Sequence, residues 1–121
     1  NMVRTQVKTM QENYEKKQAI RFFETTFTRD FNLNTALYKK EEKRLKLTTN
    51  RNRIQYTFLE DMVLRNQDTF RIELVKITCF LDGKIVTDHK IDAISMEASN
   101  AFLSQQLFVQ QRKDAAHYIN N

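Results

Sequence analysis

The chain has 121 residues, 40% of them apolar and 29% charged, with a formal net charge of +5. That length suits one domain with one modest core, and the composition excludes a disordered or collagen-like chain. Apolar runs are only a few residues long, too short for a helix to cross a bilayer, and no basic-then-apolar leader opens the chain, which starts Asn1-Met2.

There is one glycine, Gly83, and no proline, so nothing interrupts the first third of the chain. Val3, Val7, Met10 and Tyr14 are spaced four, three, four and draw one narrow helical stripe. Beyond Gln18 the apolar residues broaden into a face carrying Ile20, Phe22, Phe23, Phe27, Phe31, Leu33 and Leu37. The spacing predicts one helix over about 3–38 with two regimes. The second half builds a core. The thin seam projects or packs on a partner, although an intrachain contact accounts for it as well. Asp30 or Asn32 is where the helix can bend or break.

From Lys39 to Arg53 the chain carries seven cations (Lys39, Lys40, Lys43, Arg44, Lys46, Arg51 and Arg53) against Glu41 and Glu42, and the remainder is neutral. This candidate basic patch can attract phosphates, acidic protein or anionic lipid. A solvated helix end followed by an edge strand guarded with Lys and Arg explains the same run.

The periodicity then switches to two. Leu45 and Leu47, then Ile54, Tyr56 and Phe58, read as a hairpin turning at Thr49–Asn52. Met62–Arg65 reads as a short strand, and Asn66–Asp68 as a turn. Phe70, Ile72 and Leu74 alternate, and Val75, Ile77, Cys79 and Leu81 continue in the opposite phase. The flip at Leu74-Val75 predicts a bulge or strong twist. Asp82-Gly83 predicts a type I′ hairpin turn. Ile91, Ile94 and Met96 suggest one further strand. The tail fits a strand over Leu107–Gln111 and a helical turn over Asp114–Ile119, or else a second long helix. The expected architecture is α+β: a long N-terminal helix packed on a small antiparallel sheet meander, one domain over residues 1–121, with the sheet over about 44–111.

No residue group announces chemistry. One cysteine, Cys79, cannot form an internal disulfide and reads as a small core residue. His89 and His117 lack the spaced ligand company of a metal site, and Asp88, His89 and Asp92 read as a surface turn. The lone glycine sits in a hairpin, so no phosphate loop, dinucleotide fingerprint or nucleophile elbow is present. Glu41-Glu42 and Glu60-Asp61 are neighbours that a strand points to opposite faces. No catalysis, cofactor or metal is expected. Nucleic acid is not an expected partner either, because Tyr56 is in phase with Ile54 and Phe58 and so faces inward, and because the chain outside 39–53 is neutral.

The order of elements resembles the soluble domains of type IV pilin-like proteins, above all the minor pseudopilins of type II secretion and related competence systems. The parallel rests on the long helix with the aspartate of Phe27-Thr-Arg-Asp-Phe31. It continues in the strand pair Arg44–Thr49 and Arg53–Phe58, which contains a tyrosine, and in Met62-Val-Leu-Arg65, similar to the family's short leucine–x–arginine strand. The resemblance implies a non-enzymatic subunit of a filament or its tip, in protein secretion or DNA uptake. It further implies an anchoring apolar segment upstream of Asn1, an inner-membrane location with this domain extracytoplasmic, and other pilin-like subunits or secretion-apparatus proteins as partners. The alternatives are an extracytoplasmic binding module of another secretion or conjugation apparatus, with a helix-plus-curved-sheet fold like that of nuclear transport factors, and a basic-patch adaptor for nucleic acid or protein.

Overall fold

A computed structural model describes residues 2–112. A helix, α1 (Met2–Leu33), leads into ten strands: β1 (Thr35–Lys39), β2 (Arg44–Thr48), β3 (Arg53–Phe58), β4 (Val63–Arg65), β5 (Asp68–Phe70), β6 (Leu74–Leu81), β7 (Lys84–Ile85), β8 (Lys90–Ile91), β9 (Ala93–Ala98) and β10 (Gln106–Gln110). A single 3₁₀ turn, Asn100–Phe102, sits between the last two.

The 32 residues of α1 extend about 48 Å at 1.5 Å per residue. Ile20, Phe23, Phe27 and Phe31, spaced three, four and four, are fully buried. The helix stops at Leu33, short of the expected Tyr38. Two asparagines end it: Asn32 Nδ2 donates to the Thr28 carbonyl at 2.9 Å, and Asn34 Nδ2 to the Asp30 carbonyl. These side chains compete for carbonyls that further helical turns would use. Gln111 then donates to the Phe31 and Asn34 carbonyls at 3.0 and 2.7 Å, capping the helix from the other end of the domain. Leu37 and Tyr38 therefore belong to β1, where Ala36 and Tyr38 point inward.

The strands form two antiparallel sheets, not a single meander. The first has the order β5-β4-β3-β2-β1-β8 and the second β10-β9-β6-β7. Strands β1 to β5 do form a meander, and the β2–β3 hairpin turns at the expected place. Ile91 lies in β8 against Ala36, whereas Ile94 and Met96 lie in β9 of the other sheet. The expected single strand through 91–96 is thus split at Asp92, whose carboxylate accepts the Asp82 N–H at 3.1 Å. In β6, Leu74 opposes Ala98 and Lys76 opposes Glu97, which makes Val75 the extra residue of a bulge. The flip is where the sequence put it, but Val75 is extruded and exposed, out of phase with Ile77 and Cys79. Asp82 and Gly83, at φ 51° and 81°, make the expected type I′ turn. The strand expected at Leu107–Gln111 is β10, and the turn expected over Asp114–Ile119 lies outside the described residues.

The aromatic face of α1 and the inner faces of both sheets share one core. Phe23 and Phe27 meet the Tyr56 ring edge-on at centroid distances of 6.1 and 5.0 Å. Because Phe27 is fully buried there, Phe27→Ala should cost about 3–5 kcal/mol. Leu33→Ala, at an exposed position, should cost no more than about 0.5 kcal/mol. Urea denaturation of both variants measures the contrast; equal losses would contradict the packing of α1.

Candidate functional site

Asp30 lies three residues after Phe27 and seven after Phe23, so it shares the inner face of α1. Tyr56 of β3 and Arg65 of β4 are directly opposite each other in register. The three side chains converge. Asp30 Oδ2 accepts from the Tyr56 hydroxyl and from Arg65 Nε, both at 2.6 Å, and Oδ1 accepts from Arg65 Nη2 at 3.3 Å. Asp30 and Tyr56 are buried, and the Arg65 side chain is 22% exposed. Arg29 adds a looser contact at 3.5 Å from the helix surface.

Burial alone pushes the Asp30 carboxyl upward, but the hydrogen bonds from Arg65 and Tyr56 outweigh it and hold the group below its ordinary range. Burial, reinforced by Asp30, pushes Tyr56 well above the usual phenol range. The bond to Asp30 raises Arg65. The cluster is a clasp holding α1 to β3 and β4.

The seam residues Val3, Val7, Met10 and Tyr14 are all exposed, between 57% at Val7 and 70% at Met10. No described part of the chain covers them. At about 100° per residue, the seam lies about 125° round the helix from the core stripe. It faces away from the sheets.

The seven cations of the predicted basic patch divide. Lys39, Arg44, Lys46 and Arg53 stand on the outer face of the first sheet, across β1, β2 and β3. Lys40 and Lys43 are in the β1–β2 turn, and Arg51 is in the β2–β3 turn. Lys39 is in a strand, not a helix end. Lys90, which the sequence did not single out, joins this face because β8 pairs with β1 and sets Lys90 opposite Leu37. Only strand pairing across about 50 residues could have revealed it.

Cys79 is buried, as expected, and burial pushes its thiol up to about 12. Asp88 and Asp92 do not cluster with His89, because their carboxylates accept different backbone N–H groups, those of Lys40 and Asp82. Among the described residues no group of three His, Cys, Asp or Glu side chains could hold a metal ion. A groove of about 730 Å³ runs between β6 and the β3–β4 turn, with Tyr38, Phe58, Leu59, Val75 and Ile85 among its walls. No periodicity signals it, since its walls come from strands and turns far apart in sequence.

No protein-family model, characterised protein or solved structure matches the chain.

Asp30→Ala leaves Arg65 and the Tyr56 hydroxyl without their acceptor and should cost roughly 3 kcal/mol near neutral pH. Because the native Asp30 pKa is lowered, its contribution is present above about pH 4 and is lost as pH falls through the native value. The stability gap between wild type and Asp30→Asn should therefore shrink on going from about pH 7 to about pH 3. Urea midpoints across that range measure it, and an unchanged gap would mean that charge is not what holds the clasp.

Proposed function

We propose that this chain is a non-enzymatic structural subunit of a pilin-like or pseudopilin assembly serving protein secretion or DNA uptake. The observation that carries the reading is the division of α1. One uninterrupted helix is clamped to the sheets by Ile20, Phe23, Phe27, Asp30 and Phe31, yet exposes Val3, Val7, Met10 and Tyr14 on the side away from them. The four-three-four spacing is that of the apolar seam by which helices pack on one another. Burying such side chains contributes about 1.5–3 kcal/mol each, a gain the described residues leave unused.

A second observation supports the same reading. The aspartate of α1, the tyrosine strand and the arginine that follows it are the residues through which the sequence resembles pilin-like domains, and here they form one buried clasp. On this reading the helical stems of neighbouring subunits pack seam against seam, and the sheet domains sit outside the cytoplasm on a filament rooted in the inner membrane. The nuclear-transport-factor-like alternative expects several helices beside its sheet, whereas the described residues carry α1 and one 3₁₀ turn.

The test is Val7→Asp/Tyr14→Asp in the full chain, expressed in its own cell. Both positions are exposed, so the melting temperature should stay within about 2 °C of wild type. Recovery of cross-linked multimers should fall at least about tenfold, since each buried unpaired carboxylate costs several kcal/mol. Assembly at the wild-type level by a folded variant would sink the proposal.

A further inference from the structure

We infer that the outer face of the six-stranded sheet binds the phosphate backbone of duplex nucleic acid, without reading its sequence. The alternation of strands puts the inward residues Ala36, Tyr38, Leu45, Leu47, Tyr56 and Phe58 into the core. Their neighbours form the opposite face. There Lys39 opposes Arg44, Lys46 opposes Gln55, Thr48 opposes Arg53, and Leu37 stands between Lys46 and Lys90. Five cations thus occupy four adjacent strands, a span of about 14 Å. No strand residue on this face is acidic. Among the described residues none of these five cations is in a salt bridge. The nearest carboxylates in sequence, Glu41, Glu42, Asp88 and Asp92, are outside the strands, and Asp88 and Asp92 are engaged by the Lys40 and Asp82 N–H groups.

The remaining polar groups also favour an acceptor-rich partner. A shallow basin on this face is lined by Lys46, Thr48, Arg53, Gln55 and Asn66. Asn66 Oδ1 accepts the Gln55 N–H at 2.9 Å, which leaves its amide NH₂ to donate outward. Lysine, arginine, threonine and amide donors are the groups that contact phosphates and sugars in duplexes.

Other polyanions fit less well. Single strands are held by stacking on aromatic rings, and Tyr38 and Tyr56 are turned to the core. A membrane-binding surface sets large apolar groups into the lipid, and the exposed ones here, such as Phe108, Ile85 and the helix seam, lie elsewhere. Protein interfaces centre on aromatic anchors, which this face lacks. The sequence argued against nucleic acid because the chain outside 39–53 is neutral. The fold changes that premise by collecting Lys90 on the same face and leaving the carboxylates off it.

The inference is independent of the assembly proposal, because seam and sheet face are separate surfaces. The probe is a fluorescent random-sequence duplex titrated with the full chain. Five phosphate contacts predict a slope of log K against log salt of about −4.5, roughly a 500-fold loss from about 50 to 200 mM. Lys46→Gln/Arg53→Gln should weaken binding at least about tenfold at low salt and reduce the slope by about 2, and Lys90→Gln should reduce it by about 1. Val7→Asp/Tyr14→Asp should bind the duplex as wild type does. No binding at low salt, a slope insensitive to these three positions, or tighter binding to phosphatidylglycerol vesicles or polyglutamate than to the duplex would each overturn the inference.

Discussion

A carboxylate taken out of water must be paired, and Asp30 is the one this fold takes in. Its side chain is 3% exposed, on the inner face of a helix otherwise lined with phenylalanines. An unpaired charge there would cost several kcal/mol. Tyr56 and Arg65 meet that demand from adjacent strands, and together they fix α1 in both rotation and translation over the first sheet. Rotation about the helix axis would separate Asp30 from both donors. The clasp therefore sets which stripe of α1 meets the core, and by helical geometry which stripe faces away some four turns earlier. Ile20, Phe23, Phe27 and Phe31 fix the same rotation, and Val3, Val7, Met10 and Tyr14 are left exposed by it.

The same constraint sorts the cations. Arg65 is admitted to the inner face because Asp30 awaits it. Arg44, Lys46 and Arg53 have no such partner, and strand alternation turns them outward. The first sheet thus acquires an aromatic inner surface and a basic outer one from a single rule about buried charge. The second sheet is simpler. Ile94, Met96, Leu107 and Val109 close the core from its inner side, and Phe80 and Phe108 meet on its outer side at 6.2 Å. Gln111, at the end of this sheet, reaches back to the terminal carbonyls of α1, so the end of the last strand braces the C-terminal end of the helix.

Patterns whose physics is local could be read directly. The type I′ turn needs positive φ at two residues, and Asp82-Gly83 satisfies that within the turn itself. The β2–β3 hairpin and the bulge near Leu74-Val75 show as alternation and a break in it. The end of α1 was harder. Leu37 and Tyr38 continue an apolar run whether the backbone is helical or extended, and the asparagines that decide the matter act through particular carbonyls. The split of residues 91–96 between two sheets leaves no periodic trace, because both pieces keep an inward apolar residue. As for the candidate surfaces, the seam was fully readable, while the basic patch was readable only as a segment. Its division between sheet face and turns, and its extension to Lys90, were not.

The sequence by itself determined a long two-part helix, an α+β class, a buried cysteine and a concentration of positive charge, because each follows from periodicity or composition within one stretch of chain. Only the tertiary structure decided that there are two sheets, that Asp30, Tyr56 and Arg65 converge, and that five cations share a face free of acid. Those outcomes depend on pairing between residues far apart in the chain, as with Ala36 and Ile91, 55 positions apart in the β1–β8 contact, and such pairings are selected by burial of the whole core. No local pattern encodes them, since a strand's alternation fixes which residues share its face but not which strand lies beside it.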